Sequence, residues 1–266
     1  ESVDGALVLV SESTYGDRLH PPIEAMDEAM VDLIKRVHAR GGKMIIPSFA
    51  LERAQEVVFA ISRLRNKKLI PDIPVYVDSP LTVKITDIFK LHPECYDEET
   101  RGLIASKDSP FEFAHLRYVS EVEDSKRLDR DTGASIIISA SGMCEAGRVL
   151  HHLKAGIEDP KNAVVIVGFQ APHTLGRRIV ERRQRVKIFG VERDLRAEVV
   201  VMNGFSAHAD QKDLIAYAEH TKATGPLSQV VLVHGDPPAQ RVLKDKLAER
   251  GFGKVAIPAS GDTIDV

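Results

Sequence analysis

The sequence predicts an α/β fold in which a mostly parallel, doubly wound sheet carries helices on both faces. Short apolar runs alternate with segments of helical periodicity along most of the 266 residues. Strands that alternate with helices pair in parallel, because each helix returns the chain to the same edge of the sheet. Hydrophobic residues make up 43% of the chain and charged residues 28%, which is typical of a globular protein with a sizeable core.

The first part of the chain contains three predicted strands and two predicted helices. A continuous apolar run, which is typical of a strand buried on both faces, occupies residues 6–10. Further short strands are predicted over residues 43–47 and 75–77. Residues 22–40 place their apolar side chains on one helical face and end at two glycines, which predicts a helix. A second helix is predicted over residues 50–65.

The rest of the chain continues the alternation after an irregular middle. Residues 92–132 are rich in charge, Pro and Gly and have weak periodicity, so we predict helix fragments and loops there. Later strands are predicted over residues 135–139, 163–168, 186–189, 197–202 and 230–233. Later helices are predicted through His151 and His152 and over residues 174–185, 210–220 and 238–250.

Bulk composition restricts the classes of partner. The net charge of −3 and the isoelectric point of about 6.4 do not indicate nucleic-acid binding by the whole surface. Any such binding needs a local basic surface, and one candidate is a cluster of five arginines. The cluster could instead be a solvated helix face. It comprises Arg177, Arg178, Arg182, Arg183 and Arg185. No apolar run reaches the length of a membrane span, so no membrane partner is expected.

Cysteine and aromatic content restrict the chain further. Cys95 and Cys144 are well separated and form no Cys-x-x-Cys pair, which argues for a reducing, cytoplasmic location and against a thiolate zinc site. Tryptophan is absent and aromatic residues are 5% of the chain, which disfavours a binder built mainly on base stacking.

Polar residues follow several predicted strands, and three of them are suited to site chemistry. Glu12 follows the first strand, His208 follows the strand at 197–202, and His234 follows the strand at 230–233. Ligands of such folds bind at the carboxyl ends of strands, and imidazole is both a zinc ligand and a proton donor near neutral pH. Each histidine could instead be a hydrogen-bonded structural residue, and residues 208–210 also suit an ordinary helix start.

Seven segments together resemble the β-CASP branch of the metallo-β-lactamase superfamily of nucleases. The sequences Ser-Glu-Ser-Thr-Tyr-Gly at 11–16, Phe-Ser-Ala-His-Ala-Asp at 205–210 and Val-His-Gly-Asp at 233–236 match the family's motifs A, B and C. Supporting stretches lie at residues 47–56, 78–81, 139–148 and 168–178. The resemblance extends over nearly the whole chain, and its specificity lies in the order and number of the motifs.

The resemblance implies a zinc-dependent ribonuclease that acts as an endonuclease, and it leaves an additional exonuclease activity open. It implies that His234 binds one of two zinc ions, that His208 faces the scissile phosphate as proton donor or charge stabiliser, and that Glu12 orients His208. Two metals can hold a hydroxide for in-line attack, and a placed acid assists the leaving oxygen. A histidine at motif C favours single-stranded RNA over DNA as substrate.

The chain departs from the family pattern because it lacks the His-x-His-x-Asp-His signature. We therefore expect the C-terminal portion of a longer parent, with weak or no zinc binding and no useful activity alone. The expected domains are a partial metallo-β-lactamase αββα domain at 1–16, a β-CASP domain at 17–205 and the closing metallo-β-lactamase part at 206–266. A homodimer is left open. His173 stands where the family more often has Gly.

The resemblance also suggests which residues contact the RNA backbone, because they lie on turns before helices. These candidates are Ser48, Arg53, Ser141, Arg148, Thr174, Arg177 and Arg178. The alternative is helix capping for the hydroxyl residues and surface solvation for the arginines. Four other histidines are expected to be structural or exposed rather than ligands: His20, His151, His152 and His173.

Two other functions stay open. One is a non-catalytic RNA-binding or scaffold module of a processing complex, and the less favoured one is a DNA-directed nuclease. Retention of Glu12, His208 and His234 together favours the enzyme, because a scaffold has no chemical need for all three.

Overall fold

A computed structural model describes residues 3–106 and 109–264 of the chain. It divides into two compact units, one formed by Glu1–His20 with Ala207–Val266 and the other by Pro21–Ser206. We call them the smaller and the larger unit. The domain limits expected from the sequence, at 16/17 and 205/206, and the assignment of each part to a named domain stay predictions. In the part of the chain that the structure describes, every helix is too short or too polar to cross a membrane.

Strands and helices alternate through most of the chain. The strands are β1 Val8–Glu12, β2 Lys43–Pro47, β3 Val75–Asp78, β4 Leu116–Val119, β5 Ser135–Ser139, β6 Ala163–Ile166, β7 Arg185–Ile188, β8 Val191–Asp194, β9 Glu198–Val201, β10 Gln229–Val233 and β11 Val255–Ala256. The helices are α1 Ile23–Ala39, α2 Arg53–Asn66, α3 Pro80–Leu91, α4 Glu98–Ala105, α5 Val122–Arg130, α6 Val149–Gly156, α7 Leu175–Val180, α8 Gln211–Ala223 and α9 Pro237–Glu249. Two 3-10 turns lie at Pro93–Cys95 and Asn203–Phe205.

The larger unit is built on a six-stranded parallel sheet in the order β4-β3-β5-β2-β6-β9. Helices cover both faces, because alternate side chains of one strand enter different cores. Met44 and Ile46 of β2 pack in a core with α1 and α2, whereas Ile45 between them packs in a core with α6 and α7. The predicted doubly wound α/β fold is confirmed.

The smaller unit contains a three-stranded parallel sheet in the order β1-β10-β11, together with α8 and α9. Its core joins Leu9 of β1 and Leu232 of β10 to Leu214 of α8 and Leu243 of α9. In the register of this sheet Glu12 lies opposite Val233, so β1 and β10 end side by side. Residues that follow these two strands are therefore neighbours.

The prediction of a helix over residues 174–185 is wrong for the second half of that range. It ends at Val180, and Arg185 already belongs to β7. Arg182 has a left-handed φ of 53°, and the N–H groups of Arg182 and Arg183 donate to the carbonyls of Ile179 and Arg178. This is the hydrogen-bond pattern of a Schellman helix end. The basic cluster is therefore distributed over a helix, a turn and a strand, and it is not one helix face.

Three strands were not predicted. β4 lies within residues 92–132, where we expected helix fragments and loops, and it is short and lies at the edge of the sheet. β8 reads Val-Glu-Arg-Asp and pairs with β7 in an antiparallel hairpin. β11 has two residues. Each is too short or too charged to produce the apolar run that identifies a buried strand.

Candidate functional site

The candidate site of the smaller unit lies at the carboxyl ends of two neighbouring strands. Glu12 is the last residue of β1, and His234 directly follows β10. His208 lies two residues before Asp210, which caps α8. His234 adopts a left-handed φ of 47°, which turns the chain sharply away from the strand. The parallel register thus brings together residues that are more than 190 positions apart in sequence.

The structure brings all three predicted site residues into one cluster. Glu12, His208 and His234 each offer a ligand atom, and these atoms lie within 4.8 Å of one another. The two imidazole rings are stacked, with centroids 5.0 Å apart and planes inclined by 30°. Glu12 and His208 are half-buried, and His234 is exposed. The cluster therefore combines a carboxylate with two imidazoles that solvent and a ligand can reach.

The Glu12 carboxylate connects the end of β1 to the segment before α8. Its Oε1 accepts the backbone N–H of Ala209 at 2.9 Å, and its Oε2 accepts the backbone N–H of Thr14 at 2.8 Å. Oε2 also lies 3.4 Å from Nδ1 of His208. Two backbone N–H groups therefore hold the carboxylate in a fixed position beside Nδ1 of His208, where it is able to orient that ring.

Thr14 also belongs to the cluster, although it was not among the site residues predicted from the sequence. Its Oγ1 lies 3.3 Å from Nδ1 of His208 and 3.2 Å from Nδ1 of His234. The same hydroxyl donates to the carbonyl oxygen of His234 at 3.1 Å. Thr14 is buried, with 3% of its surface exposed. Its position two residues after Glu12 in the motif could have indicated a place in the site, but a threonine at that position also suits a tight turn.

Asp210 and His20 hold the segment that carries His208. Oδ1 of Asp210 accepts the N–H of Asp213 at the start of α8, and Oδ2 accepts the N–H of His20. Burial raises the pKa of the Asp210 carboxyl, but these backbone hydrogen bonds outweigh burial and leave the pKa below its ordinary value. Nε2 of His20 lies 2.9 Å from the carbonyl oxygen of His208. His20 therefore supports the backbone beside the cluster.

The donor set of the cluster suits zinc in type but not in number. Imidazole nitrogen and carboxylate oxygen are donors that zinc accepts, and a tight site has three or four protein ligands. Both Glu12 oxygens already accept backbone N–H groups. His234 is exposed and contacts Thr14 through Nδ1, which leaves Nε2 on the other side of the ring as the metal-binding atom. The described residues therefore fit a part of a zinc centre.

Three of the predicted RNA contacts have partners inside the larger unit. Ser48 is buried, and its hydroxyl donates to the carbonyl of Phe49. Arg53 is buried and forms an ion pair with Glu56. Arg148 donates to the carboxylate of Asp78 at 2.6 Å.

The other four predicted contacts are more accessible. Ser141 and Arg178 are half-exposed, and Arg177 pairs with Glu181 at 2.9 Å. Thr174 caps α7, because its hydroxyl accepts the N–H of Arg177. Ser141 follows β5 and Thr174 follows β6, so both lie at the carboxyl edge of the parallel sheet. Whether any of the seven touches RNA stays a prediction.

A second histidine–carboxylate cluster lies in the interior of the larger unit. His152 has no exposed side chain, and its two nitrogens lie 2.7 Å from carboxylate oxygens of Asp78 and Asp129. Arg148 and the hydroxyl of Ser125 also bond to Asp78. His152 was expected to be structural or exposed, but no pattern in the sequence indicates these partners.

The charges of this interior cluster stabilise one another. Burial lowers the pKa of His152, but its hydrogen bonds to Asp129 and Asp78 outweigh burial and leave the pKa raised. Burial likewise raises the pKa of Asp78, but hydrogen bonds from His152, Ser125 and Arg148 leave it lowered. Both shifts favour the charged forms, so the imidazole of His152 and the carboxylate of Asp78 stabilise each other as a pair.

Comparison with known proteins matches two domain families to separate parts of the chain. The Beta-Casp domain matches residues 54–179, and the Zn-dependent metallo-hydrolase RNA specificity domain matches residues 192–258. The first match lies within the larger unit. The second contains His208 and His234 but not Glu12.

Several relatives align with most of the chain. Ribonuclease TTHA0252 of Thermus thermophilus is 35% identical over 259 residues, which cover 97% of this chain and 58% of that protein. The transcription termination factor FttA of Methanosarcina mazei is 32% identical over 87% of this chain and 37% of that protein. An RNase J-like protein of Methanocaldococcus jannaschii is 30% identical over 88% of this chain and 53% of that protein. The chain thus spans between about a third and three fifths of these relatives.

Proposed function

The chain belongs to the β-CASP family of the metallo-β-lactamase superfamily, and from that premise we propose that it forms part of a zinc-dependent ribonuclease. The observation that supports this proposal most strongly is the convergence of Glu12, His208 and His234 within 4.8 Å at the ends of β1 and β10. Parallel α/β folds bind ligands at this edge. Two imidazoles beside one carboxylate suit metal binding and proton transfer better than they suit packing.

Each residue of the cluster has a proposed role. His234 is exposed and would bind zinc through Nε2, with other ligands from residues outside this cluster. Zinc, when bound, supplies a Lewis acid and an activated water for phosphodiester hydrolysis. His208 would hold a proton at Nε2 for the leaving oxygen, or stabilise its developing charge. Glu12 would hold the His208 ring in place through Nδ1.

RNA is the proposed substrate because the matched RNA specificity domain contains both histidines and because two of the aligned relatives are named as ribonucleases. We propose that Ser141, Thr174, Arg177 and Arg178 contact the RNA backbone from the carboxyl edge of the larger sheet. Ser48, Arg53 and Arg148 would act indirectly, by holding the neighbouring loops through their interior partners.

A second candidate function is RNA binding without catalysis. The observation that favours it is the donor set, since both oxygens of Glu12 are engaged by backbone N–H groups and two imidazoles alone do not complete a zinc site. The two candidates differ in one measurable property, which is metal-dependent cleavage.

The test is cleavage of labelled single-stranded RNA and of a DNA of the same sequence. It compares this chain with the full translation product of its gene, each with added zinc. Variants His234→Ala and His220→Ala form a matched pair, because His220 is an exposed histidine of α8 outside the cluster that pairs with Asp4. We expect RNA cleavage that His234→Ala reduces by about 100-fold or more, as for loss of a group that acts in the transition state. His220→Ala should leave the rate unchanged.

Three outcomes would decide between the candidates. DNA cleavage without RNA cleavage would contradict the proposed substrate. Equal loss in both histidine variants would contradict the role given to His234. Salt-sensitive RNA binding by every protein, with no cleavage by any, would replace the enzyme with the binding module.

A further inference from the structure

The hydroxyl of Thr14 lies between the two imidazoles and contacts the same nitrogen atom of each. It is 3.3 Å from Nδ1 of His208 and 3.2 Å from Nδ1 of His234. Its third contact is the carbonyl oxygen of His234 at 3.1 Å. Each ring nitrogen could donate or accept, so the distances alone do not say where the imidazole protons lie. The third contact removes that ambiguity.

A threonine hydroxyl has one proton to donate and two lone pairs that accept. The His234 carbonyl oxygen can only accept, and it also receives the N–H of Ser13 at 3.2 Å. The single proton of Thr14 is therefore directed to this carbonyl. Both lone pairs of Oγ1 then face the two Nδ1 atoms, so both Nδ1 atoms must carry the proton.

We propose that Thr14 is a positioning residue that sets the tautomers of both site histidines, placing the proton on Nδ1 and the lone pair on Nε2. A lone pair on Nε2 is what His234 needs to bind a metal ion. On His208 the same assignment leaves Nε2 free to take up the proton that the ring then donates to the leaving oxygen. This inference rests on the proposed function for its chemical meaning, but the tautomers themselves do not depend on activity.

The two histidines depend on Thr14 to different degrees. His208 has a second acceptor for its Nδ1–H, because Oε2 of Glu12 lies 3.4 Å away. Among the residues that the structure describes, Thr14 is the one whose side chain contacts Nδ1 of His234. Removal of the hydroxyl should therefore release the tautomer of His234 more than that of His208. Removal of the Glu12 charge should have the opposite selectivity.

The test is nuclear magnetic resonance of this chain labelled with nitrogen-15, using long-range correlations that identify the protonated nitrogen of each imidazole. Spectra are recorded at about pH 8, above the ordinary imidazole pKa of about 6.5. We expect both histidines in the Nδ1–H form in the unaltered chain and in Thr14→Ser. In Thr14→Val, His234 should move towards the Nε2–H form while His208 changes less. In Glu12→Gln, His208 should change more than His234.

Thr221→Val is the matched control, because Thr221 is a fully buried threonine of α8 in the same unit and its hydroxyl bonds to the carbonyl of Tyr217. It should leave both tautomers unchanged. An Nε2–H form of His234 in the unaltered chain would overturn the inference, as would a His234 tautomer that Thr14→Val does not affect. If Thr14→Val does not fold, the unaltered chain and Thr14→Ser still decide the question.

A second readout connects the tautomers to the reaction. In the full translation product, Thr14→Val should reduce RNA cleavage by about 10–100-fold, as for other groups that orient metal-binding histidines, and Thr14→Ser should restore it. Tautomers that follow the expected pattern without any RNA cleavage would leave the inference intact and contradict the proposed function. RNA cleavage as expected, together with tautomers that differ from the expected ones, would contradict the inference and leave the proposed function intact.

Discussion

The chain contains two clusters in which carboxylates contact histidines, one in each unit, and burial separates their roles. In the larger unit His152 is fully buried between Asp78 and Asp129. In the smaller unit about a third of the His208 side chain is exposed beside Glu12. Similar residue types therefore form a closed interior network in one place and a reachable site in the other.

Partners, and not residue type, decide whether a histidine is available for chemistry. Both nitrogens of His152 are engaged by carboxylates, so neither nitrogen is free to bind a metal or a ligand. In the smaller unit, Nδ1 of His208 contacts both Thr14 and Glu12, whereas Nδ1 of His234 contacts Thr14. The following predictions test this division, beginning with the largest expected effect on stability.

Replacement of the buried histidine should destabilise the fold far more than replacement of the accessible one. His152→Ala removes the imidazole from the buried Asp78 carboxylate, which keeps Arg148 and Ser125 as partners, and from the partly exposed Asp129. Breaking a buried ion pair costs up to about 3–5 kcal/mol. His208→Ala removes a half-exposed side chain and should cost about 1 kcal/mol or less. Urea unfolding of both variants measures the two values. Similar losses in both would contradict the division.

The interior network should also make stability depend on pH. The pKa of His152 is raised in the folded state, so its contribution is complete below the ordinary value of about 6.5 and is lost as the pH rises through the folded pKa. The pKa of Asp78 is lowered, so its contribution is complete above about 3.9 and is lost as the pH falls through the folded pKa. Stability from this network is therefore greatest between about pH 4 and 6.5.

Unfolding free energies across this range, for the unaltered chain and for His152→Gln, measure the effect. The alkaline decline should have a slope of at most about 1.4 kcal/mol per pH unit for one proton, and it should be absent from the variant. A decline of the same slope in His152→Gln would show that other groups cause it.

The smallest expected effect concerns two histidines with left-handed backbones, one from each unit. His173 has φ of 71° and His234 has φ of 47°. Glycine adopts such angles without a steric penalty, although it also increases the entropy of the unfolded chain. His173→Gly and His234→Gly should each change stability by less than about 1 kcal/mol. In the cleavage assay His234→Gly should lose activity and His173→Gly should retain it. Loss of activity in His173→Gly would place a functional contact at that loop.

Buried elements were the easiest to predict from the sequence. β2 and β5 begin and end at the predicted residues, because each contains a run of three or more apolar residues, as strands buried on both faces do. β4 at the sheet edge and β8 in a charged hairpin lack that run, and both were missed. The premature end of α7 depends on the left-handed backbone of Arg182, which no residue preference indicates.

The candidate site was predicted in part. Glu12, His208 and His234 were identified because each follows an apolar strand and lies in a recognisable motif, and the structure brings them together. Thr14 was missed because its role depends on contacts between loops that are distant in sequence. Thr14 and His234, for example, are 220 residues apart. The interior network was missed for a similar reason, because Asp78 and His152 are 74 residues apart and neither lies in a pattern that indicates the other.

A decisive measurement compares RNA cleavage by His208→Ala and His152→Gln, made in the full translation product with zinc, with each rate expressed per folded molecule. We expect His208→Ala to fold and to lose about 100-fold or more in rate. We expect His152→Gln, although less stable, to retain the rate of the unaltered protein in its folded fraction. Full activity of folded His208→Ala, or an equal loss per folded molecule in both variants, would contradict the role proposed for His208.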